Sequence, residues 1–518
     1  MSSVETPAAG WAASLAGRLD TAVGRYTMYR LILLVLAALA AYSLLLNVLG
    51  WLTFDIPEML VHLALCLGLT YASSRALAAL FRVTPHSESS LITGLLLYFL
   101  FWPSLLPMDL AGVALACVLA SASKYALAWR GRHIFNPAAA GAFFTGLTGL
   151  NIATWWAATP AMLWLLVPGV ALVLYRTRKF PMALVFILVA TSIITAELMR
   201  AGMSAGMGVW QALAQRPLLF FAGFMLTEPL TLPPRRRQQL ALAAVVGVVF
   251  AVPYNLGFLA NSPEAALLLG NLLAFIAGQR GRVSLRFTGV RALTPGTSEF
   301  TFEPSRPVRF LPGQYMELDL PHAGSDGKGR RRVFSLASAP QDGLVKFGVR
   351  TAAPLSQAKK ALLALQPGDE LVATSVAGDF VLPRDPRRPV LLIAAGIGIT
   401  PYVSHLSSGG LQERDAVLLY LARNAEEVAF AGELRESGIR VLVRLADGAE
   451  PPAGLAAAPG GTGDREGRLD ANALLALVPD IGAREVYVSG SPASAASLRR
   501  AAKSAGARRV HVDSFSGY

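Results

Sequence analysis

The sequence predicts a multi-domain chain: a polytopic α-helical membrane bundle of about ten spans, then a small antiparallel β-barrel, then a parallel α/β domain. Three observations predict it. The chain has 518 residues, 54% of them hydrophobic, and the apolar excess is concentrated before residue 280. That is too apolar for an ordinary soluble protein. From Arg282 the pattern turns to period-two alternation, over 284–290, 298–302 and 314–320, as half-buried antiparallel strands require. From Pro389 short apolar strands alternate with helical stretches, the strands falling near 390–395, 416–421, 439–445, 485–489 and 508–512. That alternation builds a five-stranded parallel sheet. The segments read as 1–24, 25–280, 281–386 and 387–518.

Crossing roughly 30 Å of hydrocarbon takes about 20 apolar residues in a helix. Ten runs approach that length: 31–50, 58–77, 90–107, 110–128, 136–153, 160–175, 181–199, 215–232, 238–259 and 264–280. Basic residues test the count. Arg25 and Arg30 precede the first run, and Arg75 and Arg82 follow the second. Lys124, Arg130 and Arg132 follow the fourth, Arg176, Arg178 and Lys179 the sixth, Arg235, Arg236 and Arg237 the eighth, and Arg280 and Arg282 the tenth. The gaps 51–57, 103–109 and 151–160 hold no Lys or Arg; the gap near Arg200 and Arg216 is the exception. Basic loops stay on the cytoplasmic side, so both termini and the C-terminal half are expected in the cytoplasm, on a chain integral to the cell (inner) membrane. Eight or nine helices with re-entrant pieces is the alternative. The net charge of +13 sits largely in these gaps, which reads as topology rather than a nucleic-acid face. No cleaved signal peptide is expected from the polar-mixed first 30 residues. Asn136-Pro137 and Asn261-Ser262-Pro263 open the fifth and tenth runs, an echo that suggests an inverted five-helix repeat; Pro is favoured at helix starts in any case.

In the soluble half, Leu391–Ala395 runs into Gly396-Ile397-Gly398, and Thr400-Pro401 opens a helix. A strand feeding such a turn aims unpaired N–H groups at an anion, usually a pyrophosphate. Alone the turn is a weak signal. It is joined by Leu311-Pro312-Gly313-Gln314-Tyr315, by Arg331-Arg332-Val333-Phe334-Ser335, by Val486-Tyr487-Val488-Ser489-Gly490-Ser491-Pro492, and by a chain end reading Asp513-Ser514-Phe515-Ser516-Gly517-Tyr518. Together these segments resemble the ferredoxin–NADP reductase family, which binds FAD on a small barrel and NAD(P)H on a following α/β domain. The resemblance implies that Gln314 and Tyr315 enter the flavin strand, Arg332 binds the FAD pyrophosphate, Phe334 packs on the flavin or its ribityl chain, and Ser335 hydrogen-bonds near flavin N5. Phe334 replaces the family's Tyr, which removes one hydroxyl but keeps the ring. Ser356, at a helix start lacking the family's usual Gly, would face the FAD diphosphate. Gly396, Gly398, Thr400 and Pro401 would contact the NAD(P)H diphosphate, with Gly490 and Pro492 in the second nucleotide loop. Ser489 stands where the family commonly has Cys beside the nicotinamide C4. Tyr518 would cover the isoalloxazine as a lid, or serve as a packing plug. Ser335, Ser489 and Tyr518 are thus the candidate catalytic groups. Arg423 could meet a 2′-phosphate or be a solvated surface residue, so NADH and NADPH both stand. Residues 447–468, rich in Gly, Pro and Ala, read as a mobile surface insertion.

Three membrane segments carry a second resemblance: Ser90-Leu91-Ile92-Thr93-Gly94, Arg132-His133-Ile134-Phe135-Asn136-Pro137 and Phe224-Met225-Leu226-Thr227-Glu228-Pro229. They look like segments of two related membrane proteins, the flavin-carrying components of the sodium-translocating NADH:quinone reductase and of the Rnf electron-transport complex. That resemblance implies a flavin-binding bundle, with FMN or riboflavin as a second flavin. Polar and ionisable groups at span ends often mark a site, here Thr93, His133, Asn136, Thr227 and Glu228. The plain alternative is that Asn136 caps a helix and Glu228 pairs with Arg235–Arg237. The family attaches FMN to a Thr in a Ser-Gly-Ala-Thr-like sequence; here the gap reads Ala157-Ala158-Thr159-Pro160, so covalent attachment is not expected. Only His62, His86 and His133 precede residue 280, at different span ends, so no haem is expected. Two cysteines, Cys66 and Cys117, are too few for an iron–sulfur cluster.

The reading is a membrane-bound NAD(P)H-dependent flavin oxidoreductase. Electrons pass through FAD to a flavin in the bundle, then to a quinone or an extracytoplasmic acceptor protein. Its other partner is the lipid bilayer, and no nucleic acid is expected. The alternatives are a redox-driven ion pump or transporter, with Glu197 and Glu228 as its membrane carboxylates, and a reductase merely anchored by its helices.

Overall fold

Among the described residues, five apolar runs form helices long enough to cross a membrane: Met28–Val48, Ile56–Leu80, Pro107–Ala126, Pro160–Thr177 and Phe180–Arg200. The computed structural model describes residues 27–83, 85–129, 132–257, 260–278, 282–320, 331–458 and 469–515. The chain divides into two units, Met1–Gly281 and Arg282–Tyr518. The expected third, fifth, eighth and tenth spans are shorter than a full crossing. They are Ser87–Leu100, Pro137–Thr148, a turn at Leu218–Phe220 continued by a π-helical turn Phe221–Leu226, and Pro263–Ile276. The expected ninth is Arg236–Ala251. The physical reason is proline. Pro103 and Pro107 lack a backbone N–H and push the preceding residue out of the α region. The helix therefore stops at Leu100, and the run continues as extended chain that is equally apolar. Leu100 O then accepts from Thr154 N at 2.7 Å and Trp155 N at 2.9 Å, so two extended stretches close on each other. The gap holding Arg200 and Arg216 contains an unexpected helix, Ala205–Gln215, capped by Ser204.

The helices pack in two similar halves. Ile56–Leu80 packs on Ser87–Leu100 and Pro107–Ala126, just as Phe180–Arg200 packs on the Phe221–Leu226 turn and Arg236–Ala251. Pro137–Thr148 lies on Pro107–Ala126 as Pro263–Ile276 lies on Arg236–Ala251. Both of these crossings are tight at a glycine. A Cβ on Gly141 would come 2.7 Å from Ala120 Cβ, and one on Gly270 2.5 Å from Val246 Cγ2. Ala120 and Val246 lie 126 residues apart, as do Pro103 and Pro229, Pro107 and Pro233, and Pro137 and Pro263. That register pairs Asn136 with Ser262, not with Asn261. The structure agrees: Asn136 Oδ1 accepts from Ala139 N, and Ser262 Oγ accepts from Ala265 N, each capping its helix. Asn261 instead donates to the carbonyls of Val249, Phe250 and Val252.

Among its described residues the second unit contains two six-stranded sheets. The antiparallel one runs, in spatial order, Arg331–Ser335, Tyr315–Asp319, Glu370–Ala377, Val283–Thr294, Thr297–Pro304 and Val345–Arg350. Alternate residues such as Leu285, Phe287, Phe300, Phe302, Met316, Leu318 and Phe347 fill its core. Its two edge strands touch at one bridge, Leu336↔Phe347. The parallel sheet runs Ala456–Ala457, Arg440–Leu445, Ala416–Ala422, Val390–Ala395, Glu485–Gly490 and Arg509–Ser514. The sixth strand was not expected because two residues show no period. Part of the Gly/Pro-rich insertion, 459–468, lies outside the described residues. The helix expected after the barrel strands is only Gln357–Leu363, starting past Pro354. The two sheets are pinned together. Ser404 Oγ donates to Ser338 O at 2.7 Å, Tyr487 OH donates to Val381 O at 3.0 Å, and the Phe380 ring packs 5.6 Å from Tyr402 and 5.3 Å from Tyr487.

Candidate functional site

Strand Val390–Ala395 is central, paired in parallel with Ala416–Ala422 on one side and Glu485–Gly490 on the other. The chain runs from it outward on one side and later crosses back to Glu485–Gly490 on the other, so a crevice opens at its C-terminal end. A cavity of about 690 Å³ lies there, lined by Gly396, Ile397, Arg423 and Ser491 of the parallel domain and by Gly296 and Arg350 of the antiparallel one. Gly396 has φ +54°. Gly398 is needed for space: a Cβ there would overlap the Ser489 carbonyl and lie 2.8 Å from Gly490 Cα. Thr400 Oγ1 donates to Ile397 O at 2.8 Å, which locks the turn, and Pro401 fills the first helical turn. Ser489 is fully buried, and its Oγ has no hydrogen-bond partner among the described residues. Pro492 opens the helix Pro492–Ser504 behind its cap Ser491. Gly490 O accepts from Phe515 N at 2.9 Å, which draws the C-terminal strand alongside this loop. Tyr518, the expected lid, lies outside the described residues.

On the antiparallel sheet, Tyr315 pairs with Ser335, Met316 with Phe334 and Leu318 with Arg332. Arg332 is 1% exposed and Ser335 5%. A buried guanidinium, a hydroxyl and two half-buried rings on paired strands are the chemistry a flavin dinucleotide takes: a cation for its diphosphate and flat apolar surface for its ring. The nucleotide cavity and the uncommitted Ser489 hydroxyl likewise fit a nicotinamide dinucleotide. Gln314 leads into the strand Tyr315–Asp319, and its side chain is engaged within its own turn. Its Oε1 accepts from Leu311 N at 2.8 Å and its Nε2 donates to Gly378 O at 3.0 Å, so it clamps the turn rather than reaching outward. Gly313 in that turn has φ +85°, and a Cβ on it would overlap the Phe380 carbonyl. His405 packs against the same spot; burial pushes its pKa down to about 4 against the pull of the Phe380 backbone, so it is neutral. Ser356 Oγ accepts from Lys359 N at 3.4 Å, capping its own short helix. Arg423 is neither free nor merely solvated: it is held by Glu427, a residue sequence reasoning missed.

The chain is 31% identical over 227 residues to the ferredoxin–NAD(+) reductase component of an alkene monooxygenase system of Xanthobacter autotrophicus, covering 40% of this chain and 62% of that one. It is 30% identical over 268 residues to an NADPH oxidoreductase of Mycobacterium tuberculosis, covering 49% and 64%. The C-terminal half resembles the ferredoxin–NADP reductase and flavohemoprotein reductase family. A flavohemoprotein of Bacillus subtilis is 28% identical over 218 residues, covering 41% and 53%. A crystal structure of a ferredoxin NADP+ reductase from Neisseria gonorrhoeae with bound FAD and NADP matches with a TM-score of 0.37 at 17% identity, covering 45% of this chain and 99% of that one. The chain spans less than two thirds of the length of each of these curated relatives. No family model matches it.

In the helical half, the structure does bring the predicted polar residues together. Glu228 accepts from Asn136 Nδ2 at 2.8 Å and from His133 Nε2 at 3.1 Å. These, not Arg235–Arg237, are its partners. Arg132 donates to Leu230 O at 2.6 Å and Pro229 O at 3.1 Å, and Asn136 N donates to Asn271 Oδ1 at 2.8 Å. Asn271 was missed; its signal is a lone amide in an apolar helix. A buried carboxylate was missed as well, Glu264, which accepts from Trp155 Nε1 at 3.1 Å. Thr93 and Thr227 line one cavity with Asn136 and Glu228, but Thr93 Oγ1 donates to Ser89 O at 2.9 Å and Thr227 Oγ1 to Ala222 O at 3.1 Å. That cavity measures about 40 Å³. It has room for a water, whose share of liquid volume is about 30 Å³, and a flavin ring does not fit it. The cluster is a hydrogen-bonded joint between segments far apart in the chain. Glu228→Ala is therefore expected to remove the acceptor shared by Asn136 Nδ2 and His133 Nε2 and to destabilise the detergent-solubilised chain by about 2 kcal/mol. Thermal unfolding checks this; Glu228→Gln, which keeps an acceptor, is expected to recover most of the loss.

Proposed function

We propose that the chain is a membrane-bound NAD(P)H oxidoreductase of the ferredoxin reductase type, holding FAD on the antiparallel sheet and NAD(P)H at the ends of the parallel strands. One observation carries it: the glycine turn, packed at Gly398 against Ser489, presents Gly396 and Ile397 to the 690 Å³ cavity, whose other wall comes from the antiparallel sheet. The N–H groups of the turn and the helix start at Thr400 hold the dinucleotide diphosphate. Ser489 offers its hydroxyl at the nicotinamide end, and Ser335 offers one at the flavin edge. Arg332 neutralises the flavin diphosphate, and Phe334 and Tyr315 supply flat apolar surface. Bound FAD supplies the chemistry the side chains lack, taking up a hydride and releasing electrons singly.

The five long apolar helices support a place in the lipid bilayer, and the basic loops support cytoplasmic termini at the inner membrane. In the anchored reading the electrons leave for a quinone in the membrane; an extracytoplasmic acceptor protein would need a carrier through the bundle. A second flavin, FMN or riboflavin, would need the Glu228 joint to part. The size of that cavity favours the anchored-reductase reading over a relay through the bundle. Counting extracted flavins on the detergent-purified chain, then mixing it anaerobically with NADH or NADPH, tests both levels. One FAD per chain that loses its visible absorbance with either nucleotide is expected. A colourless chain, or a flavin neither nucleotide reduces, refutes the function; a second flavin refutes the anchor.

A further inference from the structure

We propose that the nucleotide site selects NADH over NADPH, and that Glu427 sets the choice by holding Arg423. This rests on reading the cavity as the NAD(P)H site. The two nucleotides differ only at the adenosine ribose, where one carries a hydroxyl and the other a phosphate with up to two negative charges. In open sheets of this order the ribose lies at the end of the strand next to the phosphate-binding turn. A carboxylate there accepts from the 2′-hydroxyl, whereas a 2′-phosphate needs an uncommitted cation. Here that strand is Ala416–Ala422, and the next residue is Arg423.

Arg423 is committed. Its Nε donates to Glu427 Oε2 at 2.9 Å, and its terminal nitrogen lies 2.7 Å from Oε1. Both forks are used, which is the strongest pairing geometry a guanidinium has. Both residues line the cavity. Glu427 is also held from behind: its backbone N–H donates to Asn424 Oδ1 at 3.0 Å, closing the turn Ala425–Glu427. The carboxylate is thus part of a built loop. A carboxylate has lone pairs beyond the two taken by Arg423, so it can still accept from a 2′-hydroxyl. A 2′-phosphate would meet that carboxylate's charge and would have to pull Arg423 out of a bidentate pair. The pair is partly solvated, with side-chain exposures of 65% and 37%, so water screens the penalty. The expected discrimination is about tenfold, the size of one screened charge interaction. Two other cations line the cavity. Arg350 ends a strand of the antiparallel sheet, and Arg500 stands on the far helix, past Ser491 and Ser494. Arg500 is the rival for a 2′-phosphate.

The test uses the full chain in detergent with ferricyanide as acceptor. kcat/KM is measured for NADH and NADPH, and inhibition by AMP is compared with inhibition by 2′-phospho-AMP, in wild type, Glu427→Gln and Arg500→Gln. Wild type is expected to favour NADH about tenfold, and AMP over its 2′-phosphate. Glu427→Gln is expected to raise NADPH efficiency about tenfold and lower NADH a few-fold, closing the gap, because Arg423 is released. Arg500→Gln is expected to leave the wild-type ratio where it was. A wild type that favours NADPH, a ratio unmoved by Glu427→Gln, or a ratio that follows Arg500 overturns the proposal while leaving the reductase reading intact. If neither nucleotide reduces the flavin, the reductase reading falls and the selectivity falls with it.

Discussion

Arg332→Ala is expected to purify as a folded chain that has lost its FAD and oxidises NAD(P)H at background rate. Arg332 is 1% exposed and sits in its strand opposite Leu318. A buried guanidinium is a strong binder of phosphate oxygens, and the diphosphate is the group the resemblance places there. Charge-assisted hydrogen bonds to such a group contribute about 1.5–3 kcal/mol each, so losing two weakens binding by roughly a hundredfold to ten-thousandfold. Lysine is not expected to restore it, since it lacks the planar fork that matches a phosphate edge. The measurement is visible flavin absorbance per chain, alongside circular dichroism to confirm folding. A folded Arg332→Ala chain with full FAD would remove Arg332 from the site.

The second large effect concerns Gly398. Alanine there would overlap the Ser489 carbonyl and come within 2.6 Å of its carbon. Neither atom can yield easily, because Glu485–Gly490 is hydrogen-bonded on both sides, to Val390–Ala395 and to Arg509–Ser514. The turn must move instead, at about 1–3 kcal/mol, and its N–H groups swing off the diphosphate. Gly398→Ala is therefore expected to keep FAD, which binds elsewhere, while kcat/KM for NAD(P)H falls roughly a hundredfold. Chemical reduction of its flavin should be normal. Gly396→Ala is the control. A Cβ at Gly396 meets nothing within 4 Å, so its cost is only that of φ +54°, about 1–2 kcal/mol. Wild-type reduction of Gly398→Ala by NAD(P)H would mean the turn does not hold the dinucleotide.

The strands were legible because burial writes a period into the sequence. Leu285, Phe287, Phe300 and Phe302 alternate along their strands, and Leu391–Ala394 is a continuous apolar run because its strand is covered on both faces. The glycine turn was legible because few residues tolerate those positions. The helix count was not. Phe101–Leu106 is as apolar as a helix interior, and only the effect of Pro103 and Pro107 on the backbone ends the helix at Leu100. Prolines recur at a constant offset in the helical half, whereas the Asn-Pro echo pointed to a register one residue out.

Local composition alone determined where the apolar helices begin, where the strands lie and which turn is built for an anion, because each depends on residues near one another in the chain. Only the tertiary structure decided what the polar residues do. Glu228 meets Asn136 across 92 positions, Gln314 meets Gly378 across 64, and Ser489 is left without a partner among the described residues. Arg423 finds Glu427 only four residues on, yet that pair acquires meaning from the strand order that sets it on the cavity wall. A hydrogen bond joins atoms about 3 Å apart in space whatever their separation along the chain, so pairing and cavity size become readable only once the chain has been brought back on itself.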